Sequence, residues 1–244
     1  MKAGRGEAPA PAAAAAAGDS TPDGVVSHNL QGQRLGRKGR ATRDRILAAT
    51  VELLATPQDV PISLSAVARK ASLGMTSLYL YFNDLTELLL AVLEPVMATA
   101  EETYLSVIRQ YWTDEELGAR TLQFVVGYHD FWVEHARLLH LRNSMADQQD
   151  ARMLFHRVGS AQAVMLLLAD QISPNGVSPG SHVQSMVTAM MTGLERVMTV
   201  STDPTLRGLS GGKVSTREHL LEAQARLLEL GIRDYRARVK GRRF

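Results

Sequence analysis

From Thr42 to about Val239, apolar residues return every three or four positions, and no stretch alternates apolar with polar long enough to make a strand. That period puts positions i, i+3, i+4 and i+7 on one face, so it commits the chain to helices that each bury a stripe. Ile46, Thr50, Leu53 and Leu54 mark a first helix, capped by Thr42; Leu64, Val67, Ala68 and Ala71 mark a second, capped by Ser63. Leu78 and Phe82 mark a third, barely two turns long and too short to stand alone. Asp84 and Glu87 have capping-box spacing ahead of a long fourth helix through Leu88, Leu89, Val92 and Val96, which Pro95 is expected to kink. Thr113 and Glu116 repeat that box, and periodic segments follow at about 113–135, 137–146, 150–172, 182–201 and 216–239. SPNGVSPG and DPTLRGLSGGKVS, both turn compositions, separate the later ones. The expected class is all-α, with about nine helices.

The 244 residues are 45% apolar, enough for a sizeable core. They include no cysteine, which excludes disulfides, thiolate zinc sites and cysteine nucleophiles and fits the reducing cytoplasm, the expected location. No apolar run reaches the roughly 20 residues that cross a bilayer, because Glu94 and Pro95 interrupt LLLAVLEPVMATA, so no membrane partner is expected. MKAGRGEAPAPAAAAAAGDS has a cation and small residues but lacks the leucine-rich segment of a signal peptide. Residues 1–36, rich in Ala, Pro, Gly and Ser, cannot repay the entropy of ordering and are expected to form a disordered tail.

The net charge of +2 is unevenly spread. Residues 1–84 hold ten basic against seven acidic side chains, residues 85–225 ten against sixteen, and residues 226–244 seven against two. Within RLGRKGRATRDR, residues 34–45, six Arg or Lys face Asp44 alone. Such a run suits a polyanion, although an isolated basic run is as often a solvated tail. The C-terminal RDYRARVKGRRF reads as a solvated helix end, with a second nucleic-acid contact as the alternative.

Residues 63–82, SLSAVARKASLGMTSLYLYF, join a tidy amphipathic helix to a short one whose Met75, Thr76, Ser77, Tyr79, Leu80 and Tyr81 cannot all be buried. Two short helices across a three- or four-residue turn form a helix-turn-helix, and a second helix of this size fits the major groove of double-stranded DNA. The run from Ser63 to Leu88, and above all Leu78-Tyr79-x-Tyr81-Phe82, resembles the N-terminal domain of the tetracycline-repressor (TetR) family of bacterial regulators. The resemblance covers about 45 residues and departs from the family pattern twice: Ser72 stands where the turn usually has Gly, and Leu85 where a phosphate-binding Lys usually opens the fourth helix. It implies a DNA-binding domain over residues 37–84 and a ligand-binding and dimerisation domain over 85–240. Thr42, Tyr79 and Tyr81 would then hold phosphates, and Met75, Thr76, Ser77 and Leu80 would face bases. Ser63 and the basic Arg37, Lys38, Arg40 and Arg43 complete the DNA-binding set. None of the base-facing four makes a bidentate contact, so recognition is expected to lean on thymine methyls, hydroxyls and DNA shape. The competing reading packs Tyr79 and Tyr81 on the larger domain.

Phe124, Tyr128, Phe131 and Trp132 share one helix face, a pattern that is more often core than pocket. The resemblance implies that a small hydrophobic effector binds there, with Trp112, Met145, Met153, Phe155 and Met165 completing the cavity. Met186, Ala189, Met190, Gly193 and Val197, with Leu220, Ala223, Leu227 and Leu228, resemble the family's two-helix dimer face, which makes a homodimer the expected assembly. No cofactor or metal is expected: His129, His135 and His140 are spaced six and five apart, which fans them around a helix. GLSGGKV, residues 208–214, lacks the spacing and the Ser or Thr of a phosphate loop, and no Ser-His-Asp ordering or close carboxylate pair suggests an enzyme.

Overall fold

The computed structural model describes residues 34–56, 61–173, 181–205 and 217–241. Most of the expected disordered tail, residues 1–33, and the GLSGGKV segment lie outside them. Among the described residues there is no strand, and there are nine helices separate from one another, α1 Arg37–Leu54, α2 Leu64–Lys70, α3 Met75–Leu78, α4 Leu85–Ala98, α5 Leu117–Glu134, α6 Ala136–Asp147, α7 Ala151–Ile172, α8 His182–Thr202 and α9 Arg217–Gly241, together with a π-helical turn and a four-residue helix that follow α4. The all-α expectation is met. No helix among the described residues is long and apolar enough to cross a membrane.

Two apolar clusters organise these helices. The smaller gathers Ile46, Ala49, Val67, Ala68, Ala71, Leu78, Phe82 and Leu88 from α1 to α4, and the larger runs through α4 to α9. Leu47 and Leu85 touch both. Leu85 therefore packs between the cores, which explains an apolar residue at the mouth of a helix where the TetR pattern has a cation.

Local chemistry sets most boundaries. Ser63 accepts from the Ala66 N–H at 3.2 Å, Asp84 from Glu87 at 2.8 Å, Asp150 from Arg152 and Met153 at 3.0 and 3.2 Å, and Ser181 from Gln184 at 3.2 Å. The Glu87 carboxylate reaches back to the Asn83 N–H at 2.8 Å, one residue earlier than a standard box, and so ties down the chain just before α4. Thr113 and Glu116 pair as expected, but the helix expected from about 113 begins only at Leu117, with Glu116 at its N-cap position.

The turn between α2 and α3 answers the question Ser72 raises. Ser72 has φ of 53°, its N–H bonds the Arg69 carbonyl at 3.1 Å, and the Leu73 N–H bonds that of Ala68 at 2.8 Å. This is a Schellman ending with Ser in the left-handed position that favours glycine. Ser72→Gly is expected to stabilise the fold by roughly 0.5–1 kcal/mol, the relief of left-handed strain less the entropy glycine loses. Urea denaturation checks this, and an unchanged or lower midpoint would contradict it.

Two boundaries depart from expectation. Thr42 is not a cap: α1 starts at Arg37, and the Thr42 hydroxyl donates to the Lys38 carbonyl at 3.0 Å inside the helix. Arg and Lys are good helix formers, and buried Leu35 folds back over Gly39, so helix extends into the basic run. The fourth helix continues past Pro95 and first departs from α geometry at Thr99, passing through a π-helical turn, Glu101–Leu105, into Ser106–Arg109. There Gly127 of α5 admits the Thr103 carbonyl, which would lie 2.7 Å from a Cβ at that position.

Candidate functional site

Tyr79 is 49% exposed, and Thr76, Ser77 and Leu80 are exposed beside it, while Leu78 and Phe82 of the same segment are buried. The apolar residues facing in are those the smaller core needs, and the rest face solvent. Tyr81 and Met75 are half-buried against that core, so neither tyrosine is lost to the larger domain. Thr42 and Ser63 are half-buried at the first and second helices.

Arg37, Lys38 and Arg40 are exposed on the first turn of α1, Arg45 is exposed further along α1 and Arg69 in the last turn of α2, and among the described residues none of the five forms an ion pair. Lys70 differs, paired to Glu52 at 2.7 Å. Arg43 stacks its guanidinium 5.4 Å from the centre of the Phe82 ring, tying α1 to the chain that follows α3. The basic run is thus helical from Arg37 onward, ahead of the start expected at Thr42. Arg45 and Arg69 were missed from sequence, although both lie off the apolar stripes of their helices.

Side-chain hydrogen bonds from α6 and α7 join this head to the larger bundle. Arg152 of α7 donates to Asp84 at 2.8 Å, and the Thr86 hydroxyl donates to Asp150 at 2.6 Å, so the caps of α4 and α7 brace each other. Burial pushes the Asp84 carboxyl up, but the Arg152 hydrogen bond and the Glu87 N–H more than offset it and hold it below the ordinary carboxylate range. Arg137 of α6 donates to the Leu53 and Thr56 carbonyls at 2.8 and 2.7 Å, closing the C-terminal end of α1.

In the larger bundle Trp112, Phe124, Tyr128, Phe131, Trp132 and Met153 are buried together, with Met145 at the margin. They pack on one another: Tyr104, delivered by the π turn, stands edge-on to Tyr128 and Phe131 with ring centres 4.8 and 5.3 Å apart. Phe155 is a correction, since it is 76% exposed and lines no internal cavity. Met165 is another: it borders a surface groove of about 430 Å³ between α7 and α8 with Val158, Gln162, Leu166, Ala169, Gln184, Val187 and Thr188. Both lie off the buried stripe of α7, which runs through Met153, Val164 and Leu168.

On α8 and α9, Ala189, Gly193 and Ala223 are exposed and Leu227 is 64% exposed, with Met186, Val197 and Leu220 partly so. Small residues beside an uncovered Leu suit close approach of another helix. Met190 is spent inside the subunit, its methyl filling the space where a side chain on Gly231 would stand, and Leu228 is fully buried.

The fold recurs in a solved TetR-family transcriptional regulator from Streptomyces coelicolor, with a TM-score of 0.58 over 83% of this chain and 90% of that one, at 15% identity. No protein-family model matches the sequence, and no curated protein matches it. The fold is therefore one that a transcriptional regulator uses, with a helix-turn-helix at one end and a helical bundle at the other.

Proposed function

We infer that the chain is a TetR-like transcriptional regulator that binds a near-palindromic double-stranded DNA operator as a homodimer and is released by a small effector held in its larger bundle. The observation that carries this reading is the helix-turn-helix segment: its core side is spent on Leu78 and Phe82, while Thr76, Ser77, Tyr79 and Leu80 are exposed, and Arg37, Lys38, Arg40, Arg45 and Arg69 of α1 and α2 form no ion pair among the described residues. An exposed reading segment preceded in the chain by such cations suits a major groove and its phosphates. Two copies joined through α8 and α9 would present two such segments about a two-fold axis. The braces from Asp84 and Thr86 to α7 give an effector a mechanical route to α4, provided it prefers the arrangement with the wrong spacing of reading segments. Repression is the proposed outcome.

Selection of DNA bound by the purified protein, followed by gel shifts at two salt concentrations, tests the reading. A specific complex that weakens steeply with salt is expected. Tyr79→Ala should weaken it about tenfold or more, as loss of a phosphate contact and its aromatic packing would; undiminished affinity would remove the segment from the interface. A second reading, a small-molecule-binding protein of this fold without DNA binding, is favoured by Leu85, which lies between the two cores instead of offering a cation. It expects no sequence to be enriched.

A further inference from the structure

The buried stripe of α6 is Leu138, Leu139, Arg142 and Ala146, so a guanidinium occupies a core position at helical spacing. Arg142 is 3% exposed. A buried cation costs several kcal/mol unless a partner offsets it, and here the offset is incomplete. Nε donates to Asn143 at 3.1 Å and Nη1 to Ser160 at 3.2 Å, and Trp132 lies under the charge at 5.9 Å. Those two bonds use two of five N–H groups. Among the described residues no carboxylate comes within ion-pair distance of it. Glu195 of α8 is the acid that Arg142 senses, yet Glu195 is half-buried and receives no hydrogen bond among the described residues. Burial holds its carboxyl toward the neutral form, against the pull of Arg142 and Arg157.

The surroundings share this bias. Arg157, whose charge is tied to Asp147 at 2.8 Å, and His156 both lie within electrostatic reach of Arg142. The His156 Nδ1 is buried with no hydrogen-bond partner. Tyr104 and Tyr128 are within electrostatic reach of the guanidinium, and the Tyr128 ring stands edge-on to Trp132 with centres 6.5 Å apart. A core position built only for stability would hold Leu or Met here, and a structural Arg would be paired. We propose that Arg142 is the anchor for a small organic acid, whose carboxylate takes the unused guanidinium N–H groups while its apolar body lies against Trp132 and the Tyr104–Tyr128 pair. An Arg fork matches a carboxylate in two parallel bonds, whereas a neutral hydrocarbon in the same place would leave the cation unanswered. This names the chemical class of the effector and rests on the effector reading only for its regulatory consequence.

The test is isothermal titration of the full chain at neutral pH with benzoate, 4-phenylbutyrate and octanoate, each against its own neutral amide. At least one acid is expected to bind about tenfold or more tightly than its amide, the difference of a charge-assisted pair. Arg142→Met should abolish that preference while the protein stays folded, since replacing a buried ion by an apolar side chain is often neutral or stabilising. Glu195→Gln, which removes the competing carboxylate, should strengthen acid binding several-fold. Acid and amide binding alike, no acid binding in the series, or an acid preference surviving in Arg142→Met would overturn the proposal. If Arg142→Met does not fold, unchanged acid affinity in Glu195→Gln would do so. A neutral compound that releases the operator where acids do not sinks the proposal and leaves the regulator reading standing. Arg142-dependent acid binding without effect on the operator does the reverse.

Discussion

Alanine at Arg37, Lys38 and Arg40 together is expected to weaken operator binding by on the order of 10³-fold at moderate salt and to flatten its salt dependence, because each phosphate contact contributes about 0.9 to the slope of log affinity against log salt. A dimer carries each cation twice, so the slope should fall by about five. The three side chains are exposed, make no ion pair among the described residues and stand on the first turn of α1, where alanine is the better helix former. The fold should therefore be intact, and circular dichroism with thermal unfolding checks that. Gel shifts or anisotropy titrations across a salt series measure the slope. A triple variant with an unchanged slope would place these cations away from the DNA, and the reading segment would lose its electrostatic partner.

Gln171→Leu is expected to cost about 3–5 kcal/mol in folding stability although it conserves volume and adds apolar character. Gln171 is 2% exposed. Its amide nitrogen donates to the Ile108 and Gln110 carbonyls at 2.8 Å each, and its amide oxygen accepts the Trp112 N–H at 3.0 Å. The three groups belong to the chain leaving the π-helical extension of α4, where the helix has run out and cannot bond its own backbone. Leucine would leave the Ile108 carbonyl and the Trp112 N–H buried and unanswered, each at about 1–3 kcal/mol, and the half-buried Gln110 carbonyl without its partner. Arg236 locks the same place from α9, donating to the Gln171 carbonyl at 2.7 Å and to Asp114 at 2.8 Å. Urea unfolding followed by Trp fluorescence reports the effect, and a midpoint within error of the parent would mean that water reaches these groups.

The helices were legible because their determinants are local. A cap such as Ser63, Asp84, Asp150 or Ser181 acts within three residues, and a buried stripe is written at intervals of three and four. The exposed side of the segment around α3 was legible for the same reason: a segment this short buries Leu78 and Phe82 and leaves Tyr79 outside the core. Thr42 was misplaced because a cap and an internal helical threonine share their flanking residues. Only the fold of Leu35 onto Gly39 shows how far α1 extends.

What the sequence determined by itself is therefore a set of amphipathic helices in order and a helix-turn-helix with cations beside it, since these follow from spacing along one chain. What the tertiary structure alone decided is which polar groups the bundle encloses. Arg142, Gln171 and Arg236 occupy core positions in their stripes, yet a lone polar residue on a stripe reads equally as a break in it. Leu85 and Phe155 depend likewise on what lies across the contact. The Gln171 amide and the Arg236 charge are answered by residues distant in the chain, and Arg142 only in part; whether such convergence occurs is a property of the packed molecule.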